Sequence, residues 1–531
     1  MKTERNSVIY QIYPRSFQDS NGDGIGDLNG IRARLGYLSQ LGVDMLWLTP
    51  VYASPQRDNG YDISNYHDID PAFGSFSDML ALISEAATLG IGIMMDIVAN
   101  HTSTEHSWFK KALAGDKYYQ DFYVFRDQQF VNEYPLTSIF GGNAWEYVPA
   151  LDMYYLHNFD ITQADLDWDN VNVRKAMAAV VQFWLDQGIK GFRFDVIDMI
   201  SKNWPTRSMS NGPRLHDYIK ELNHSTFGGK NIITVGETWS ADLEHMKSYS
   251  SPAGDEFSMV FNFEHLGFGH DKWQSHIDIK TIKNVFTRNQ CELRNQGWNS
   301  LFLSNHDLPR AVSRFGNDTP QWRELSAKQW AIILHMQQGT PFIYQGEELG
   351  MTNRQWHPSE IRDIEAKNYF NSHINDATES EVLTRISKIS RDNARTPMQW
   401  DDTNHAGFST VTPWIQVNEN YHSINVANQQ HDDNSVFNCY RTLISLRKKL
   451  DIIREGDFTM LSSDTSNHIC YSRQWQGKTL IVMANLTTTP LAIPVHKDDL
   501  ATLEPLLTNY PTPSYSDELR PLEAVVWLTT K

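Results

Sequence analysis

The sequence predicts an α/β fold: a (β/α)8 barrel with an inserted subdomain after its third strand, followed by a C-terminal antiparallel β domain. Three observations lead there. Up to residue 348, short apolar runs rich in β-branched and aromatic residues alternate with longer stretches of helical spacing. Between residues 101 and about 171 that alternation breaks, and from about residue 455 it gives way to a period of two.

The elements follow in order. SVIYQIYP (7–14), VDMLWLTPV (43–51) and IGIMMDIVAN (91–100) read as the first three strands. The segments between them, LNGIRARLGYLSQLG and SFSDMLALISEAATLG, repeat apolar residues three or four apart, with Gly42 and Gly90 marking the helix stops. Residues 101–171 are rich in aromatic, Gly and Asn residues without a clear beat, as expected of an inserted subdomain. The beat resumes with the helix NVRKAMAAVVQFWLDQ and the strand IKGFRFDVI (189–197), then the helix NGPRLHDYIKELNHSTF and the strand NIITVGET (231–238). FSMVFNFEH, WNSLFLSNHD and TPFIYQGEE complete eight strands, the number at which a parallel barrel closes. A polar insertion over about 350–430 precedes a strong helix, NSVFNCYRTLISLRKKL. HICYSRQW and LIVMANLTTTPLAIPV then alternate as antiparallel strands do. The domains expected are therefore a barrel from 1–100 and 172–454, an inserted subdomain at 101–171, and a β-sandwich at 455–531.

Composition narrows the function. With 46 Lys plus Arg against 64 Asp plus Glu, the net charge is −18, and no basic run tracks a phosphate backbone, so nucleic acid is not expected as a partner. No run of eighteen apolar residues is present and MKTERNSVIYQIYP lacks the pattern of a signal peptide, so neither a membrane nor export is expected. The cysteines, Cys291, Cys439 and Cys470, are odd in number and lack zinc spacing; reduced thiols in a cytoplasmic protein account for them. Sixteen Trp are either core filling or flat faces on which sugars stack. A monomer is expected, with no organic cofactor.

In a parallel barrel, chemistry gathers at the C-terminal ends of the strands. Asp96 closes the third strand, Arg193 and Asp195 the fourth, Glu237 the fifth, and His306 with Asp307 the seventh. A lone Asp at a strand end is as readily a helix cap or turn residue, but four such ends are harder to explain that way. Arg193 and Asp195 are two apart and share a face, so a fixed cation sits beside a carboxylate and keeps it ionised, as a nucleophile requires. Glu237, followed by Thr238 and Trp239, is expected against an indole face, where burial raises a carboxyl pKa and suits a general acid. Two such acids are the apparatus of glycoside hydrolysis: a separation of about 5 Å gives retention and roughly 6.5 to 9.5 Å inversion. Adjacent strands favour the shorter distance. A second constellation, DSNGDGIGD (19–27), spaces oxygen ligands as a calcium loop does, from Asp19, Asn21, Asp23, Asp27 and the Ile25 carbonyl; a Gly-rich turn between the first strand and its helix is the alternative.

The segments DIVANH (96–101), GFRFDVI (191–197), VGETW (235–239) and SNHD (304–307) resemble glycoside hydrolase family 13, the α-amylase family, in order and in placement on strands. The resemblance covers essentially the whole chain. It implies retention, with Asp195 attacking the anomeric carbon, Glu237 protonating the leaving oxygen, Asp307 stabilising the distorted sugar, and Arg193, His101 and His306 holding the first-subsite sugar. DNGYD (58–62) and RDNARTPMQW (391–400) are similar to the oligo-1,6-glucosidase and dextran glucosidase branch, which also contains trehalose-6-phosphate hydrolases. That likeness implies that Asp58 and Arg395 bind the terminal glucose and close the pocket, with Tyr61 as a stacking platform and Phe159 and Gln163 beside it. An exo-acting α-glucosidase working on α-1,6-linked gluco-oligosaccharides is implied, because Val196 after the nucleophile accompanies α-1,6 activity in this branch, whereas Thr or Ala accompanies α-1,4. Trp239, Lys272 and Glu365 would line the second subsite, and a structural Ca²⁺ would occupy the early loop. Trehalose-6-phosphate hydrolase and α-1,4-glucosidase stay open as alternatives. A sucrose isomerase would carry an arginine-rich loop where this chain reads LPRAVSRFGND, and a non-catalytic transporter subunit would lack the carboxylates and carry a membrane anchor.

Overall fold

The computed structural model describes residues 5–267, 273, 276–495, 500, 502–513 and 517–529. The fold class is the expected one, an α/β (β/α)8 barrel with a C-terminal antiparallel sheet domain. The chain divides into two compact units, one of residues 1–45, 263–294 and 299–531, the other of residues 46–262 and 295–298.

Naming the barrel strands in chain order, β1 is Ile9–Ile12, β2 Met45–Leu48, β3 Gly92–Val98, β4 Gly191–Asp195, β5 Ile233–Glu237, β6 Met259–Phe261, β7 Ser300–Leu301 and β8 Thr340–Tyr344. The second unit contains β3, β4, β5 and β6 as consecutive parallel neighbours. Every residue of β4 and β5 is buried, as expected of strands covered on both faces. Register aligns Asp96 of β3 with Arg193 of β4 and Val235 of β5. Side chains at one level of neighbouring strands share a face, so Asp96 and Arg193 meet.

The helix Val171–Asp186 starts at an Asn170 cap and buries Val173, Met177, Val180, Val181 and Trp184, the stripe its spacing foretold. Phe76–Thr88 opens with a Ser75/Asp78 capping box. In the inserted stretch, Phe125–Arg126, Met153–Leu156 and Trp145–Val148 form a small antiparallel sheet, and His101–Ser103 pairs antiparallel with Gln163–Asp165.

The first unit contains β1 beside β8 and β8 beside β7, all parallel. Helical spacing over 28–41 resolves into two helices, Leu28–Ala33 and Leu35–Leu41, broken at Arg34 and stopped by left-handed Gly42. Arg323–His335 is buried nearly all round, and its Ile333 carbonyl accepts from the Tyr471 hydroxyl of the C-terminal sheet at 2.8 Å. That sheet has five antiparallel strands, in the order Asp457–Met460, His468–Trp475, Lys478–Asn485, Ala524–Thr529 and Leu503–Thr508. Gln476 and Gly477, both at positive φ, make the two-residue hairpin turn.

Two expected placements need correction. Asp96 lies inside β3, which runs on to Val98. The strand β7 ends at Leu301, so His306 and Asp307 stand on the loop beyond it; Phe302 and Leu303, past its end, are buried, which makes the run read as a longer strand.

Candidate active site

Asp195 and Glu237 are the last residues of β4 and β5. Arg193, 1% exposed, lies between them and gathers three carboxylates. Its Nη1 donates to Asp96 Oδ1 and to Asp195 Oδ1, each at 2.7 Å, and its Nη2 donates to Glu237 Oε2 at 2.5 Å. The terminal nitrogens of one planar guanidinium are about 2.3 Å apart, so these Asp195 and Glu237 oxygens lie within about 7.5 Å of each other. Burial works against the Arg193 charge, but Asp96, Glu237, Tyr61 and Asp195 more than offset it and hold its pKa well above the ordinary value. One cation against three carboxylates leaves the cluster net negative when all are ionised.

Glu237 accepts two further bonds, from the Val196 backbone N–H at 3.1 Å and from the Trp239 indole N–H at 3.1 Å. The expected apolar indole face is therefore corrected: Trp239 meets the carboxyl with its N–H, and half of the residue is exposed. Val196 donates from a left-handed backbone, φ 35° and ψ 44°, a strained conformation for a β-branched residue. Gly236 permits the close packing beneath: a Cβ there would lie 2.9 Å from Ile197 and 3.1 Å from Phe257.

The expected sugar-binding residues of this unit converge. The Tyr61 hydroxyl donates to Asp96 Oδ2 at 3.2 Å and accepts from Arg193 at 3.4 Å. Gln163 Nε2 donates to Asp58 Oδ2 at 3.1 Å and lies 3.2 Å from His101 Nε2. Phe159 packs against the His101 ring at 5.1 Å. Burial lowers the His101 pKa to about 4, so the imidazole is neutral at pH 7.

The first unit holds a second cluster. Asp307 receives His306 Nε2 at 3.0 Å, Arg395 Nη2 at 2.9 Å and Arg391 Nη1 at 3.5 Å. Burial opposes ionisation of Asp307, yet His306 and the two guanidiniums outweigh it and keep the carboxyl well below its usual range. Gln11 braces His306 Nδ1 at 2.8 Å, and Tyr13 stacks on the His306 ring. Glu365, near the start of helix Ile364–His373, is half-buried. Lys272 lies outside the described residues.

In the loop 19–27, Asp19 accepts from Asn21, Gly22 and Gly24 backbone N–H groups and from Ser409 Oγ, and Asp27 from Ser20 and Gly30. Burial raises the Asp19 pKa, but these donors outweigh it and the net shift is downward. The donor set is all oxygen, as calcium requires, although among the described residues no group of three or more His, Cys, Asp or Glu side chains is gathered to hold a metal.

Several supporting residues escaped sequence reasoning. Arg391 binds Asp363 at 2.6 Å besides approaching Asp307; the RDNAR segment that pointed to Arg395 carries Arg391 four positions earlier. Lys202 Nζ sits 3.0 Å from Asp165 Oδ2 and 3.2 Å from Asn100 Oδ1, anchoring the strand pair that carries His101 and Gln163. Asp198, three residues after Asp195, binds Ser240. Among the described residues no helix is long and apolar enough to cross a membrane.

Comparison with known proteins adds three findings. The family described as "Alpha amylase, catalytic domain" matches residues 11–456. The chain is 48% identical over 493 residues to the glucan 1,6-alpha-glucosidase of Streptococcus pneumoniae serotype 4, covering 91% of each, and 43% identical over 553 residues to the trehalose-6-phosphate hydrolase of Escherichia coli, covering 99% of this chain and 98% of the other. Among solved structures, a Bacillus licheniformis trehalose-6-phosphate hydrolase superposes with a TM-score of 0.95 at 40% identity, covering 100% of both chains.

Proposed function

The chain belongs to the alpha-amylase family and is a glycoside hydrolase, and on that premise we propose that it is an exo-acting, retaining α-glucosidase that releases glucose from the non-reducing end of α-1,6-linked gluco-oligosaccharides. The observation that carries the proposal is the sharing of one guanidinium by Asp195 and Glu237, which brings a nucleophile and a proton donor within reach of one glycosidic bond. In this reading Asp195 attacks the anomeric carbon while Glu237 protonates the departing oxygen. Glu237, now ionised, then activates the water that releases glucose from Asp195. The charge that develops on the sugar is positive, and a cluster with more carboxylates than cations stabilises it. Asp307 takes the third role, on the ground of the family resemblance and of its strongly favoured ionised form.

The α-1,6 preference rests on Val196 and on the 48% identity to a glucan 1,6-alpha-glucosidase. A phosphorylated disaccharide would need a cationic second subsite; of the residues assigned there, Trp239 is neutral and Glu365 acidic, which leaves Lys272 as the one cation. Rates on isomaltose, isomaltotriose, panose, maltose and trehalose-6-phosphate test the substrate, and isomaltose-type substrates are expected to win. A win for trehalose-6-phosphate overturns the substrate and leaves the mechanism standing. Observing β-glucose as the first product by NMR would overturn retention.

The proposal extends to a cytoplasmic monomer and to a structural Ca²⁺ held by Asp19, Asn21, Asp23, Asp27 and the Ile25 carbonyl. Supporting the latter is the all-oxygen donor set on a loop that its own hydrogen bonds already hold closed. Calcium is expected to raise the thermal midpoint and chelation to lower it, with Asp23→Ala abolishing the response; an unresponsive wild type refutes the site.

A further inference from the structure

Trp239 poses a problem of mechanics. It donates its indole N–H to Glu237 Oε1, yet 50% of the residue is exposed, so packing alone does not fix the ring. What is fixed is the main chain around it. Thr238 Oγ1 donates to the Phe261 carbonyl at 2.9 Å, and the Ala241 carbonyl accepts from Asn262 Nδ2 at 2.8 Å. Between them Ser240 is gripped from the opposite side by Asp198, whose Oδ2 accepts both the Ser240 backbone N–H at 3.2 Å and its hydroxyl. Asn211 completes the grip: its Nδ2 donates to Ser240 Oγ at 2.9 Å and to the Ser240 carbonyl at 3.2 Å, while its backbone N–H donates to the Asp198 carbonyl at 2.8 Å.

Asp198 is only 2% exposed, in the turn Ile197–Met199 directly after the nucleophile. A buried carboxylate costs stability unless hydrogen bonds offset it, and this one accepts two from Ser240. Its pKa is pushed up to about 6, chiefly by burial and with help from the Glu237 charge, against the pull of the Ser240 bonds. The turn after β4 therefore touches the end of β5 twice, through the Val196 N–H on Glu237 and through the Asp198 carboxylate on Ser240.

We propose that Asp198 is a positioning residue that clasps Ser240, fixes the main chain bearing Trp239, and so holds the indole N–H on Glu237 in the orientation from which the proton reaches the glycosidic oxygen. The inference rests on Glu237 being the general acid. Proton delivery matters most when the leaving group is a poor one, which sets the test.

kcat/KM would be measured on isomaltose and on aryl α-glucosides spanning nitrophenol to phenol leaving groups, for wild type, Asp198→Ala, Asp198→Asn, Ser240→Ala and Glu237→Ala. Asp198→Ala and Ser240→Ala are expected to lose about tenfold or more on isomaltose and less than about twofold on the best leaving group, steepening the dependence on leaving-group pKa. Asp198→Asn, which keeps an acceptor for Ser240, is expected to recover most of the loss. An equal loss on every substrate, or Asp198→Asn as poor as Asp198→Ala, overturns the clasp. Ser240 is exposed, so its variant tests the clasp even if Asp198→Ala fails to fold. Glu237→Ala separates the two readings: without leaving-group dependence in that variant, the acid assignment itself fails, whereas dependence there and none in Ser240→Ala overturns only the clasp.

Discussion

Arg193 shows how much one side chain is asked to do. Its guanidinium faces Asp96, Asp195 and Glu237 at once, and its carbon lies 5.4 Å from the Trp47 ring centre and 5.8 Å from that of Tyr61. Arg193→Met would strand buried carboxylates without a cation, so it is expected to cost about 3 to 5 kcal/mol of unfolding free energy by denaturant titration as well as most of the activity. Asp195→Asn keeps the shape and removes the proposed nucleophile; turnover of nitrophenyl α-glucoside is expected to fall by several orders of magnitude with the thermal midpoint little changed. Full activity in that variant would refute the assignment. The pairing of Arg193 with Asp195 was legible from their spacing of two in FRFDV. The Trp239 contact was not, because a sequence names an indole without saying whether its face or its N–H meets the neighbour.

At the scale of elements, register does the placing. Asp96 pairs with Arg193, Arg193 with Val235, and Glu237 follows two residues on, so three strands deliver charge to one face of the sheet. Gly236 lets β5 lie against Ile197 and Phe257. Gly236→Ala would overpack that contact and is expected to cost about 1 to 3 kcal/mol, read as a shift in the urea midpoint. The strands themselves were legible because apolar runs of this length bounded by Gly and Asn have few other uses. Their ends were less so, as β7 demonstrates: a buried apolar run reads alike whether the strand stops at Leu301 or runs on through Phe302 and Leu303.

For the whole molecule, the order of strand and helix segments, the break after the third strand and the change of period near residue 455 were enough to read the fold class. Buried polar networks were not readable, since their members are distant in sequence. Glu347 is an example, bound by Ser304 at 2.5 Å and Tyr440 at 2.8 Å. Burial, aided by the Glu348 charge, pushes its pKa from 4.5 to about 7, against the pull of those hydroxyls and of Arg310. The folded state thus holds a proton that the unfolded chain has released between those values. Its contribution, about 3 kcal/mol, is fully present below pH 4.5 and lost as pH rises through about 7. Glu347→Gln is expected to flatten the decline of the urea midpoint over that window; an unaltered slope would show that another group carries it.

The left-handed turn at residue 196 separates two tasks that share an address. Its amide belongs to the main chain, so exchanging the side chain leaves that donor to Glu237 in place as long as the turn survives. If Val196 sets the linkage and Glu237 delivers the proton, as proposed, substrate choice can drift at this position while proton handling next door is preserved, and only a change that unwinds the peptide, or an amide-to-ester replacement, would disturb both together.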